Sequence, residues 1–183
     1  MKSLRERIPD YAKDLRLNLD ALPKVESLTP SQLWGVALAS ALATRNDELV
    51  RAVAEEARAH LTESAVNAAR TAAALMGMNN VYYRFQHLVS NAEYGSLPAR
   101  LRMQAIANPG VERVDFELAC LAVSAIHGCG KCMDSHEHEI RKRGASALAV
   151  QDTVRVAAVL HALACVLDGE RALAGQPVPT PST

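Results

Sequence analysis

A chain of 183 residues, 49% of them hydrophobic, is long enough to bury a full core as one domain or as two small halves sharing one. Its 20 basic and 20 acidic residues cancel to zero formal charge and are scattered along the chain, which argues against nucleic acid or an anionic membrane surface as a partner. Aromatic residues are only 4%, and Ala, Leu and Val supply most of the apolar content, a composition that favours helices packed closely on one another.

The pattern reads as helix throughout. Residues 2–19 form a mixed-charge amphipathic segment, stopped near Pro23. LTPSQLWGVALASALATRN opens with Thr29 as N-cap and Pro30 at the first helical position, and its apolar run ends at Asn46. DELVRAVAEEARAHL follows, with Asp47 as the expected cap. TESAVNAARTAAALMGMNNVYYRFQHLV makes a longer helical stretch, weakened around Gly77 and the Asn79–Asn80 pair, for which a helix-end cap is the only structural use the sequence suggests. Gly95 and Pro98 mark a loop, and Pro109–Gly110 a firm break.

The second half repeats this plan. DFELACLAVSAIH is an apolar helix expected to stop at Gly128. CGKCMDSHEHEIRKRG is a second, closed by Gly144, and ASALAVQDTVRVAAVLHALACVLDG a third, ending at Gly169. Sliding the chain by 83 positions lays LWGVALASALATRN over FELACLAVSAIHGC. The expected fold class is therefore all-α: one compact helical domain over 1–169 with an internal duplication, its halves about 25–90 and 110–169. A Pro- and Thr-rich tail over 170–183 should be disordered. No apolar run approaches the roughly 18–20 residues of a membrane span. The charged start MKSLRERIPDYAKDL has no signal-peptide apolar region, so a cytoplasmic location is expected. There a Cys-x-x-Cys is more often catalytic or metal-binding than a structural staple.

The chemistry concentrates in HGCGKCMDSHEHEI. If the helix begins at Cys129, then Cys129 and Cys132 are i and i+3 on one face, and His136 is i+4 from Cys132. Cys129 would lie in the first turn, where the free N–H groups and the dipole favour a thiolate, and Lys131 adds positive charge. His136 can take the proton of Cys132 and return it. The helix terminus thus argues for Cys129 as the attacking sulfur and the i+4 base for Cys132, and the residues alone leave the choice open. Glu117 interrupts an otherwise apolar run. It either folds back to orient His136 or sits partly solvated in a first helical turn.

A zinc site is disfavoured, because His136 and His138 are i and i+2 on different faces and no second Cys or His pair exists to clip another segment. Cys120 and Cys165 are expected as inert core residues, as is His161. His60, His87 and His138 are expected at the surface, and His127 in packing at a helix end.

FELACLAVSAIHGCGKCMDSHEHEIRKRG resembles the alkylhydroperoxidase D family, within the wider carboxymuconolactone decarboxylase-like group. QLWGVALASALATRN, MGMNNVYYRF and LRMQAIANPG are similar as well, so the likeness spans about residues 8–169. The resemblance implies an all-helical homotrimer that reduces alkyl hydroperoxides or regenerates a partner peroxiredoxin, the C subunit of alkyl hydroperoxide reductase. No bound cofactor or metal is implied. It further implies that electrons come from dihydrolipoamide or a lipoylated dehydrogenase component. It implies that Cys132 attacks peroxide and becomes sulfenic acid, that Cys129 donates a proton and closes a Cys129–Cys132 disulfide, and that His136 and Glu117 relay protons. Lys131 stands where the relatives expected to be nearest carry His, and can serve as a source of positive charge for the thiolate. The rival functions are a decarboxylase or isomerase of the wider group, which needs no redox dithiol, and a zinc-dependent or trimeric binding module.

Overall fold

The computed structural model describes residues 1–175, which form nine α-helices and no strand. These are α1 (Lys2–Glu6), α2 (Lys13–Ala21), α3 (Pro30–Thr44), α4 (Asp47–Ala57), α5 (Glu63–Leu88), α6 (Glu93–Ser96), α7 (Arg113–Ile126), α8 (Gly130–Lys142) and α9 (Ala147–Leu173). Residues 170–173, expected in the tail, continue α9 through Gly169, while 176–183 lie outside the described residues. The all-α expectation holds.

Two local rules of helix chemistry shape the ends. Thr29 accepts from the Gln32 amide and Gln32 answers to the Thr29 amide, a reciprocal capping box with Pro30 just inside. The next cap is Asn46, whose Oδ1 accepts from the Leu49 amide, rather than Asp47, which stands at the first helical position where its charge suits the dipole. The amphipathic segment 2–19 is divided at Pro9, which has no N–H to continue the ladder, into α1 and α2.

The long helices α3, α5, α7 and α9 pack together, with α4 against α3 and α9, and α8 against α7 and α5. Every residue from Phe116 to Ser124 of α7 is buried, as are Val36 to Ala41 of α3. A helix apolar all round belongs in the middle of a bundle, and the alanines let its neighbours approach. The order long helix, short helix, longer helix occurs twice, α3 to α5 and α7 to α9, beginning at Pro30, Asp47 and Glu63 and again at Arg113, Gly130 and Ala147.

Three expectations need correction. Helix α5 runs unbroken through Gly77, Asn79 and Asn80, because the side chains that would compete for the backbone are turned into the bundle, where Asn80 finds tertiary partners. Helix α9 is long and apolar enough, by length and composition, to cross a membrane, contrary to the sequence reading; half of its most apolar stretch is buried against the other helices. On its outer side His161 and Cys165 are exposed rather than core residues, whereas Cys120 of α7 is fully buried.

Candidate active site

The turn between α7 and α8 sets the dithiol. Gly128 adopts a left-handed φ of 68°, its amide donates to Ala125, and the Cys129 amide reaches back to the Ser124 carbonyl. This paired closure of a helix end requires the positive φ that glycine reaches without strain. It reverses the chain so that Cys129 becomes the N-cap of α8 in extended conformation, with the helix starting at Gly130. Cys129 therefore precedes the first turn, contrary to the sequence reading, and Cys132 lies within it. The helix terminus and the i+4 histidine, which pointed to different sulfurs in the sequence, now both favour Cys132.

Cys129 and Cys132 are joined as a disulfide, with Cα atoms 5.3 Å apart. Cys129 is wholly buried. Cys132 lines a cavity of about 270 Å³ between α5, α7, α8 and the segment after α6. Met76, Tyr83, Met103 and Ile106 supply its apolar wall, and Glu117, His136 and Lys131 also face it.

Glu117 is 2% exposed, so the partly solvated reading of this residue is replaced by a buried ion pair. It sits in the second turn of α7, not the first. Its Oε1 accepts from Arg113 at 2.6 Å, one helical turn earlier, and its Oε2 is 2.6 Å from His136 Nδ1. Burial is the largest influence on this carboxyl and pushes its pKa up. The bond and charge of His136, with the Arg113 guanidinium, outweigh it and hold the pKa below the ordinary carboxylate value. The ionised carboxylate can only accept, so Nδ1–H donates to it, and this fixes the imidazole's orientation. The other nitrogen, Nε2, lies 3.1 Å from Met76 Sδ. Arg113 also donates to the Ile106 carbonyl and so ties the cavity's outer segment to the buried carboxylate.

Lys131 is exposed, its ammonium 5.7 Å from the centre of the Tyr83 ring, in cation–π range. His138 is exposed and apart from His136, and among the described residues no group of three or more His, Cys, Asp or Glu could hold a metal ion. His60 and His87 are exposed; His127 caps α7. The His127 Nδ1 is 3.1 Å from the Asn80 amide nitrogen, while Asn80 Oδ1 accepts from the Ser124 hydroxyl. Burial, then the charge of Arg45, lowers the His127 pKa, favouring the neutral ring. The Cys120 thiol, buried and near the Glu117 charge, is pushed well above its usual pKa and stays protonated.

The site thus brings together Cys129, Cys132, His136, Glu117 and Lys131. Sequence reasoning missed Arg113, Met76 and Asn79. Arg113 was within reach of it, since a basic residue four positions before a buried carboxylate is its natural partner. Met76 and Asn79 carried no such signal.

The Carboxymuconolactone decarboxylase family matches residues 92–174. The chain is 55% identical over 176 residues to a Rhodospirillum centenum protein named alkyl hydroperoxide reductase AhpD, covering 96% of this chain and 95% of the relative. A protein of the same name from Acidobacterium capsulatum is 56% identical over 170 residues, covering 92% and 93%. One from Streptomyces griseus subsp. griseus is 51% identical over 174 residues, covering 95% and 98%.

Proposed function

Since this chain belongs to the alkyl hydroperoxide reductase AhpD family, we propose that it is a dithiol peroxidase that reduces alkyl hydroperoxides at Cys132 and draws its electrons from dihydrolipoyl groups. The observation that carries this reading is the cavity that exposes Cys132, and not Cys129, beside a buried Glu117–His136 pair.

The cycle starts from the disulfide. A donor thiolate attacks the cavity-facing Cys132 sulfur and releases Cys129, and the donor's second thiol then frees Cys132 as it closes its own disulfide. His136, oriented by Glu117, accepts the Cys132 proton across the cavity that both line. The first turn of α8 and the ammonium of Lys131 favour the resulting thiolate. The thiolate attacks the terminal peroxide oxygen, the O–O bond breaks, and the departing alkoxide takes up a proton as the alcohol. Cys132 becomes a sulfenic acid. Cys129 attacks that sulfur, water leaves, and the starting disulfide is restored. The same dithiol can instead pass electrons to a peroxiredoxin, the C subunit of the alkyl hydroperoxide reductase system. The homotrimer that the family resemblance implies is supported by the exposed Val81, Phe85, Leu88, Tyr94 and Leu97, an apolar surface that another copy would cover; light scattering reads the mass directly.

The test is steady-state consumption of an alkyl hydroperoxide with different donors. Dihydrolipoamide should sustain many turnovers and glutathione few. Turnover with glutathione equal to that with dihydrolipoamide would contradict the lipoyl assignment. A protein inert to hydroperoxide with every donor would return the decarboxylase reading that the matched family's name carries.

A further inference from the structure

Asn79 and Asn80 are neighbours in the middle of α5, both buried, and they differ in one respect. Asn80 is satisfied inside the protein by Ser124 and His127. Asn79 is 4% exposed, and its Oδ1 has no hydrogen-bond partner. A buried, unpartnered carboxamide oxygen costs stability, and Asn is also a poor residue for a helix interior. Nothing in the fold offsets either cost.

Its position says what does. Met76, Asn79 and Tyr83 lie at i−3, i and i+4 on one face of α5, and all three line the cavity that holds Cys132. Met76, almost fully buried, meets His136 at the inner end, while Tyr83 carries the exposed Lys131 at the outer end. Asn79 stands between them, a neutral donor and acceptor beside the apolar residues Met76, Tyr83, Met103 and Ile106; Ser135 of α8 is the other neutral polar side chain that lines the cavity.

Resting on the peroxidase reading above, we infer that Asn79 is the substrate-orienting residue of this site, holding the hydroperoxy group of an alkyl hydroperoxide against Cys132. A hydroperoxide carries one O–H donor and two acceptor oxygens, and so matches a carboxamide that has both functions. Oδ1 accepts from the terminal O–H, which turns that oxygen toward the thiolate. As the S–O bond forms and the O–O bond breaks, the electron pair moves to the oxygen bearing the alkyl chain. The Nδ2–H group donates to that oxygen, and the proton held by His136 completes the alcohol. The alkyl chain lies along Met103 and Ile106.

The test uses Asn79→Leu, close in size and apolar, with three readouts on the full chain. The first is the thermal midpoint. The second is the rate at which tert-butyl hydroperoxide oxidises the reduced protein in a single turnover. The third is the rate at which dihydrolipoamide reduces the disulfide. The midpoint should rise by about 2–4 °C, because a better helix former replaces an unsatisfied polar group. Oxidation should slow by about 10²-fold, the usual loss when one donor to a developing oxyanion is removed. Disulfide reduction should stay within about twofold of wild type, since attack on the sulfur needs no hydroperoxy ligand. Asn79→Ala, with the best helix former, gives the same separation of the two half-reactions should the leucine variant not fold. Unchanged oxidation in either variant overturns the inference. So does a lowered midpoint with both half-reactions slowed alike, which marks a structural residue. Wild-type protein that hydroperoxide fails to oxidise would instead overturn the parent reading, and the inference with it.

Discussion

Cys132→Ser is expected to lower hydroperoxide turnover by at least about 10³-fold, to the background of the assay, without unfolding the protein. The reason is the nucleophile. A serine hydroxyl stays protonated at neutral pH, and no neighbour in this site is basic enough to change that, whereas a thiol is intrinsically far more acidic and a helix N-terminus favours its thiolate. The side chain is nearly isosteric and lines a cavity, so little packing is lost. Cys129→Ser should behave differently. Cys132 would still attack the first equivalent of peroxide, giving one fast turnover that stops at the sulfenic acid and then climbs to sulfinic acid under excess oxidant. Rapid mixing with mass analysis separates the outcomes. A fast first turnover in Cys132→Ser, with none in Cys129→Ser, would reverse the two roles.

Glu117→Ala carries the other large effect, on stability and activity together. The carboxylate, itself buried, neutralises Arg113 and holds His136. Removing one partner of a buried pair typically costs 3–5 kcal/mol. Arg113 is 28% exposed and can recover some hydration, so about 3 kcal/mol is expected, read as a fall of roughly 6–12 °C in thermal midpoint. Turnover should fall by about 10²–10⁴-fold as the imidazole loses its orienting acceptor. Glu117→Gln keeps the shape and separates the contributions. It should lose less stability, and it should change the acid limb. Because the folded-state pKa of Glu117 is lowered, its contribution is complete above the ordinary carboxyl value, about 4.3, and is lost as pH falls through the lower, folded value. Denaturant midpoints measured from pH 6 down to 3 should therefore decline less steeply in the glutamine variant. Equal slopes would contradict the buried ion pair.

These residues also show what a sequence can and cannot reveal. The order of the six longer helices from α3 on, α6 apart, was legible because start and stop signals are local: Thr29 with Pro30, Gly128 and Gly144 each act within a turn of their own position, whereas the break at Pro9 and the short α6 across Gly95 were not foreseen. The Glu117–His136 pair was legible as an oddity, a carboxylate within an apolar run and a histidine one turn beyond a cysteine. What stayed hidden depends on contacts distant in the chain. Helix α5 continues through Asn79 and Asn80 because Ser124 and His127, 44 and 47 residues on from Asn80, satisfy one of them. The starting residue of α8 decided which cysteine enjoys the helix terminus, and that turned on the reversal at Gly128 rather than on spacing. Helices apolar on most sides, such as α5 and α9, give no periodicity from which to read the inward face. Met76 was therefore missed as a partner of His136, and Cys165 and His161 were misplaced.

The central claim is that Cys129 and Cys132 are the redox couple, and a thiol count tests it most directly. Fully reduced protein, assayed in denaturant, should show all four cysteines as thiols. One equivalent of alkyl hydroperoxide should remove the two belonging to Cys129 and Cys132, located by mass mapping, and leave Cys120 and Cys165 free. Dihydrolipoamide added last should restore both. Four thiols persisting after the hydroperoxide, or the loss of a pair that includes Cys120 or Cys165, would contradict the account.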